Sequence, residues 1–290
     1  MKKLLVTLWI LVFLLVLVGC GEAENAVPTT AAHTMTETES TAEAATTIAT
    51  TTEPETTVPP IDPPKEIPQL PQTGKSLDAF IPEDYYLLSS VSLDFNADGR
   101  EDYVGALAHP SVLQTAYGCS WCDWENRANC TACARILFAI RNTGNGYRLS
   151  FQDEQLIMRV GEGGRFGSGF DRLITNGRTF TIEMTMGSAW SGTDECTFQY
   201  RNGTWYLVRR YQYGWHSTQG IATDESIDDY LTGVGIRRKN SDERVMAERD
   251  PDAGPEVLRD FETDERIKLG PPPTLKAFSK EFAQEKRGLR

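Results

Sequence analysis

The chain has 290 residues, a net charge of −12 and 10% aromatic residues. This length allows one domain of ordinary size together with segments outside it. Because nucleic-acid binding needs a basic surface, the acidic excess argues against nucleic acids and other polyanions as partners.

Residues 1–20 have the pattern of an export signal. Lys2 and Lys3 precede an apolar run, and Leu17-Val-Gly-Cys20 is typical of a bacterial lipobox. The apolar run is shorter than the ~20 residues of a spanning helix, which weakens the alternative of an uncleaved anchor. We predict that Cys20 is lipidated and anchors the chain to a bacterial membrane, on its extracytoplasmic face.

Residues 21–75 are rich in Thr, Pro, Ala and Glu. They carry nine acidic and two basic side chains and almost no residues that could form a core. Proline and like charges extend such a chain. We therefore predict a disordered linker that holds a domain away from the membrane.

Residues 76–285 are predicted to form an all-β domain. Three Asn-Gly dipeptides, at Asn145, Asn176 and Asn202, stand beside alternating apolar and polar runs, and this is the strongest short-range signal for hairpins. An antiparallel meander that forms a sandwich or a propeller-like sheet is expected. The predicted strands are Asp84–Leu93, Tyr103–Ala108, Arg135–Arg141, Tyr147–Phe151, Arg178–Met186, Cys196–Arg201 and Thr204–Tyr213.

The pattern is weaker after residue 217. We predict a strand over 229–238, a loop over 240–255, a helical turn over 256–262 and an edge strand within 267–278. The tail from Lys280 is expected to be loose.

Oxygen-bearing side chains alternate between residues 94 and 102. Asp94, Asn96 and Asp98 occupy positions 1, 3 and 5 of a calcium-loop pattern, and a glycine follows, where such a loop turns sharply. Arg100 would offer its carbonyl oxygen, and Asp102 its side chain. No glutamate stands at position 12 and strands flank the loop, so an EF-hand is not expected. The alternative is a hairpin turn that binds no metal.

These residues carry a resemblance to a known class of proteins. The loop, with the run Phe80-Ile-Pro-Glu-Asp-Tyr-Tyr that precedes it, is similar to FG-GAP/VCBS-type calcium loops. More narrowly, the chain resembles a group of bacterial exported proteins that carry one such loop and have no established activity. Further resembling stretches are 163–170, 187–190, 197–207 and 230–233. The resemblance implies export, a β-rich fold and a calcium ion at the loop. Members with many repeats form propellers, whereas this chain has one loop.

Two Cys-x-x-Cys pairs lie in a segment, 109–134, that interrupts the strand pattern. Cys119, Cys122, Cys130 and Cys133 would form two disulfides in an oxidising compartment, which we favour. Tetrahedral zinc is the alternative, although the gap between the pairs is short for it. A fifth cysteine, Cys196, is expected to be a buried core thiol.

Aromatic residues cluster at Trp121, Trp124, Trp190, Trp205 and Trp215. On strands such residues usually pack in a core or across strands. Trp190, flanked by Gly and Ser, is the best candidate for a platform that stacks on a sugar or peptide. The glycine-rich loop 161–169 is the other segment that could face a ligand.

No nucleophile, phosphate-loop or metalloprotease motif is present in the sequence. Asp194 and Glu195 are predicted to lie at a solvated hairpin end. The sequence therefore favours a lipid-anchored extracytoplasmic protein with a calcium-stabilised domain of binding or structural type, and a protein or glycan as its partner. One alternative is an extracytoplasmic hydrolase of cell-wall or glycan substrates, and another is a zinc-carrying interaction module built on the cysteine segment.

Overall fold

The structure, a computed structural model, describes residues 62–114, 130–165, 168–246 and 259–288. The predicted export signal with Cys20, most of the predicted linker, and Cys119, Cys122, Trp121 and Trp124 lie outside these residues. Within the described ranges, no helix is long and apolar enough to cross a membrane.

The domain is built from two antiparallel sheets, which confirms the predicted all-β fold. The first sheet has five strands in the order β1-β5-β4-β3-β2, and the second has seven in the order β12-β11-β10-β9-β8-β7-β6. Most neighbours in a sheet are also neighbours in sequence, as in a meander. The strands of the first sheet are β1 (Thr73–Gly74), β2 (Tyr86–Leu93), β3 (Asp102–Ala108), β4 (Arg135–Asn142) and β5 (Tyr147–Asp153). Those of the second are β6 (Arg172–Asn176), β7 (Thr179–Gly187), β8 (Trp190–Arg201), β9 (Thr204–His216), β10 (Ile221–Asp229), β11 (Val234–Lys239) and β12 (Thr263–Lys268).

The turns at Asn145-Gly146 and Asn202-Gly203 join the strands that they were predicted to join, and Asn176-Gly177 precedes β7 as predicted. At the β8–β9 turn both Asn202 (φ 48°) and Gly203 (φ 83°) are left-handed. This is the conformation that a two-residue turn needs to match the twist of its strands. At this turn, the Asn-Gly pair therefore meets the need of the backbone for two left-handed residues.

The main core lies between the two sheets and is rich in aromatic rings. Phe95 contacts Trp205, with ring centroids 4.7 Å apart, and Phe180 stacks on Phe198 at 5.2 Å. Trp205 is 5% exposed. Trp205 is thus a core residue, as expected for an aromatic residue on a strand.

The first sheet is covered on its other face as well. Leu70 and Phe80, from the segment before β2, pack against Phe138 and Ile140 of β4. A sheet buried on both faces explains why the first six residues of β4 are all buried. The folded part therefore begins before residue 76, the boundary set by composition, because Leu70 is buried and β1 pairs with β5.

Two helices follow β11: α1 (Asp242–Val245) and α2 (Leu275–Gly288). Short 3-10 helices span Leu77–Phe80 and Pro110–Gln114. The prediction of an edge strand within 267–278 and of a loose tail is wrong, because β12 ends at Lys268 and α2 continues to residue 288. The Thr274 hydroxyl accepts a hydrogen bond from the Ala277 N–H at 3.2 Å and begins the helix.

The predicted strand over 229–238 is also wrong in its bounds. It covers the end of β10, the turn and most of β11. These two strands form a hairpin in which Asp224 is opposite Lys239 at one end and Asp229 is opposite Val234 beside the turn. Neither β10 nor β6 was predicted. Residues 259–262 are not helical, so the described part of the predicted helical turn is wrong too.

Candidate functional site

The loop between β2 and β3 is wound tightly by its own side chains. The Asp94 carboxylate accepts hydrogen bonds from the N–H groups of Asp98, at 3.1 Å, and Gly99, at 2.8 Å. The Asn96 side-chain oxygen accepts from the Asp98 N–H at 2.9 Å, and the Asp98 carboxylate accepts from the Arg100 N–H at 3.0 Å. Side chains at positions 1, 3 and 5 of the pattern therefore converge on one short stretch of backbone.

The geometry of this loop is compatible with a cation. Each carboxylate oxygen has two lone pairs, so an oxygen that accepts an N–H can still bind a metal ion. In the part of the chain that the structure describes, no three His, Cys, Asp or Glu side chains form a metal-binding group. A site here would thus rely on the amide oxygen of Asn96 and on a backbone carbonyl beside the carboxylates of Asp94 and Asp98.

Asp102 has a structural role as well as its predicted place in the loop. It is fully buried, and its two oxygens accept hydrogen bonds from the backbone N–H groups of Asn142, at 2.8 Å, and Phe95, at 3.3 Å. Burial raises the pKa of Asp102 to about 6, and the carboxylates of Asp98 and Asp94 act in the same direction. Asp102 therefore connects the loop to the β4–β5 hairpin, and it lies close enough to Asp94 and Asp98 for their charges to raise its pKa.

A cleft opens beside the loop at the same end of the domain. A cavity of about 910 Å³ is lined by Asn96 and Asp98 of the loop, by Arg141 of β4, and by residues of the β6–β7 and β8–β9 turns. A second cavity, of about 240 Å³, shares Arg141, Tyr200 and Gly203 with the first. The loop thus forms one wall of a larger polar depression.

Four arginines line this depression, and sequence reasoning did not single them out. We call the depression the arginine cleft and define it by Tyr200 with Arg141, Arg148, Arg178 and Arg201. Each arginine lies within a few residues of an Asn-Gly turn, and the three turns lie at one end of the sandwich. Arginine beside each hairpin turn is the signal that could have indicated the cleft.

The cysteine segment is described in part. Cys130 is disulfide-bonded, and Cys133 is buried. The choice between two disulfides and zinc for the four cysteines as a set stays a prediction. Cys196 is fully buried in the main core, as expected, and burial raises the pKa of its thiol well above the usual value.

Trp190 is the most exposed of the described tryptophans, at 49%. It begins β8, and its ring meets the ring of His216 edge-on, with centroids 4.7 Å apart. The N–H of Gly187 donates to the Gly163 carbonyl at 2.9 Å, so the described part of the loop 161–169 lies beside the turn that carries Trp190. The two ligand-facing segments predicted from sequence are therefore neighbours, at a place distinct from the arginine cleft.

The prediction for Asp194 and Glu195 is wrong. Both lie in the middle of β8, and Asp194 is fully buried beneath α2. Its carboxylate accepts hydrogen bonds from Arg210 at 3.1 and 2.8 Å, and the Lys286 ammonium lies 3.6 Å away. Glu195 faces the other side of the sheet, where burial, and then Glu183 opposite it, raise its pKa.

A scan of the chain against protein-family models and a search of curated proteins find no match. The resemblance to calcium-loop proteins therefore rests on the residues of the loop and the shorter stretches named above.

Proposed function

We propose that the chain is a lipid-anchored protein of the bacterial cell envelope whose β domain is an extracytoplasmic binding module stabilised by calcium. The observation that carries this proposal is the position of the loop 94–102 at the wall of a large polar cleft. Loops held by a rigid sandwich are a usual place for ligand binding. The lipobox at Cys20 and the acidic, proline-rich linker support the anchored location.

The calcium ion would be held by Asp94, Asn96, Asp98 and the Arg100 carbonyl, and Asp102 would anchor the loop through its hydrogen bonds to Asn142 and Phe95. The converging hydrogen bonds of the loop support this assignment, because they already bring together the side-chain oxygen atoms that would bind calcium. Bound calcium would neutralise the carboxylates and fix the loop that joins β2 to β3. Since Asn96 and Asp98 border the cleft, the ion would also fix one wall of the binding site.

The alternative of a hydrolase has less support. Hydrolysis of glycosides uses two carboxyl groups that face each other across the substrate. Among the described residues that line the arginine cleft, Asp98 is the only carboxylate. We therefore propose binding, with a glycan or a protein as the partner class, and no catalysed reaction.

Thermal unfolding of the full chain, with millimolar calcium and with chelator, tests the proposal. Extracellular calcium sites bind at roughly 10⁻⁴–10⁻³ M, so saturating calcium should add about 1–3 kcal/mol, a rise of several degrees in Tm. Asp98→Ala should abolish the rise. Asp84→Ala, at an exposed aspartate outside the loop, should keep it.

Two outcomes would contradict the proposal in different parts. If calcium leaves the wild-type Tm unchanged, the loop is a turn without a metal. If the wild type carries no labelled palmitate, and the Cys20→Ser variant stays in the membrane fraction, the lipid anchor is wrong.

A further inference from the structure

The arginines of the cleft have no carboxylate partner in the part of the chain that the structure describes. Within the described ranges, no carboxylate forms an ion pair with Arg141, Arg148, Arg178 or Arg201. By contrast, Arg172, Arg210, Arg237, Arg238 and Arg244 all pair with a carboxylate. Arg209 and Arg266, outside the cleft, also form no ion pair in the described ranges, so what distinguishes the cleft is that four such arginines line one depression.

Two of these arginines are placed directly against each other. Arg141 of β4 and Arg148 of β5 are opposite residues in the strand register, and both line the smaller cavity. Like charges at opposite positions destabilise a hairpin by a few tenths of a kcal/mol or more. The arrangement costs stability in the free protein, and a bound anion would remove that cost.

The other two arginines are held in place by neutral partners. Arg178 donates to the Phe95 carbonyl at 3.3 Å, and the Arg201 Nε donates to the Gln199 side chain at 2.6 Å. These bonds use part of each guanidinium and leave further N–H groups for a ligand, since arginine has five. An arginine fixed by a neutral acceptor is oriented and keeps its positive charge available.

Tyr200 contributes an aromatic side chain to the lining of the cleft. Its ring packs against Phe95, at 5.1 Å between centroids, and Trp205, at 5.3 Å, and these rings hold it from the core side. The Ser150 hydroxyl and Asn202 add neutral polar groups to the lining. A cavity of about 910 Å³ is too large for a lone phosphate and is in the size range of sites for drug-sized ligands.

From these observations we propose that the arginine cleft binds a short saccharide that carries phosphate or carboxylate groups. The guanidinium groups would bind the acidic groups in the bidentate way that arginine favours, and Tyr200 with the neutral polar groups would contact the sugar. A long polyanion does not fit, because the negative charge of the whole protein would repel it beyond the cleft. This inference names the ligand of the proposed binding module and rests on the arginines, independently of calcium and the lipid anchor.

Calorimetric titration of the full chain in a neutral detergent tests the proposal. The probes are glucose 6-phosphate and glucuronate, with glucose as the matched neutral sugar and inorganic phosphate as the matched bare anion. Both charged sugars should bind, and more weakly as salt is raised, because salt screens exposed charges. Glucose and phosphate should each bind at least about tenfold more weakly than glucose 6-phosphate, since each lacks one half of the contacts.

Variants separate the cleft from the rest of the surface. Arg141→Gln and Arg201→Gln should each weaken binding of glucose 6-phosphate about 10- to 100-fold, the range for a lost hydrogen bond to a charged group. Arg172→Gln, at an arginine paired with Glu183 outside the cleft, should leave binding unchanged. The Tm of each variant, measured without ligand, shows that the fold is intact.

Three results would overturn the inference. Equal binding of glucose and glucose 6-phosphate would exclude charge recognition. Equal binding of phosphate and glucose 6-phosphate would leave a simple anion site and exclude the saccharide. Unchanged binding in Arg141→Gln and Arg201→Gln would place the ligand elsewhere. If these titrations succeed while calcium has no effect on Tm, only the calcium part of the proposed function is lost.

Discussion

Two groups of charged side chains in this domain have opposite surroundings. Beneath α2, Asp194 is buried between Arg210 and Lys286. Glu285, which is more exposed, also pairs with Arg210, with 2.9 Å between the guanidinium nitrogen and the carboxylate oxygen. At the loop end of the domain, the arginines of the cleft line an open depression without a carboxylate paired to any of them in the described ranges. The first group attaches a helix to a sheet. The second is left incomplete, and we interpret the missing charges as those of a ligand.

The difference follows from the energetics of desolvation. A buried ion is costly unless an opposite charge and hydrogen bonds replace water. Asp194 meets this condition with four donors, from Arg210, Gln212 and Cys196. Arginines at a solvent-filled cleft keep their water and can stay unpaired at small cost, until a ligand displaces that water.

Removing the buried carboxylate should have the largest effect. Asp194→Ala would leave Arg210 and Lys286 without their shared partner beneath α2, and we expect a loss of about 3–5 kcal/mol in the free energy of unfolding. Denaturant unfolding of the variant and the wild type measures it. Asp264→Ala, at an exposed carboxylate of β12 that pairs with Arg238 of β11, is the control and should cost less than about 1 kcal/mol. Equal losses in the two variants would show that the buried carboxylate contributes no more to stability than the exposed one.

A buried ionisable group that stays neutral gives a smaller effect. His109 is 4% exposed, and its Nδ1 accepts a hydrogen bond from the Ser111 N–H at 3.2 Å. Burial lowers its pKa, while the nearby Asp84 acts in the opposite direction. As pH falls, the unfolded chain therefore takes up a proton at His109 at a higher pH than the folded chain does. The contribution of His109 to stability is full at neutral pH, and it is lost as pH falls from the ordinary histidine pKa towards the lower pKa of the folded state.

The measurement for His109 is a difference between two pH profiles. Tm should fall more steeply between neutral and mildly acidic pH in the wild type than in His109→Asn, whose side-chain oxygen can accept the same N–H. Parallel profiles for the two proteins would show that His109 does not contribute to the acid sensitivity.

The smallest expected effect has the opposite sign. Arg148→Gln removes one of the two arginines that face each other across β4 and β5, and it should stabilise the free protein by about 0.2–1 kcal/mol. The gain should shrink as salt is added, because the repulsion is between exposed charges. A loss of stability in low salt would show that Arg148 makes a structural contact, and the cleft would then resemble the cluster under α2.

The sequence determined most of the hairpins. The turn at Asn202-Gly203 was predicted because few residues other than asparagine and glycine adopt its left-handed backbone, and β8 and β9 alternate around it. The sequence also placed Cys196 in the core, because a lone cysteine on an alternating strand packs like a small apolar residue. These are local rules, which act within a few residues.

Helix α2 was missed although its signals are local as well. Thr274 as a cap and the spacing of Leu275, Phe278 and Phe282 indicate an amphipathic helix. The predicted edge strand includes the three prolines at 271–273, whereas these prolines immediately precede the cap. The helical period of the apolar residues, rather than the prolines before it, determines the structure of this segment.

Only the tertiary structure decided what the charges do. Asp194 reads as a surface residue in sequence, and it becomes a buried ion because Arg210, 16 residues away, and Lys286, on a helix after β12, reach it through the fold. The cleft likewise needs two sheets whose turns end at one place, so that arginines from separate hairpins line one depression. Periodicity and turn chemistry act along the chain, whereas the pairing of charges depends on distances in space, and those are set by how the two sheets and α2 pack.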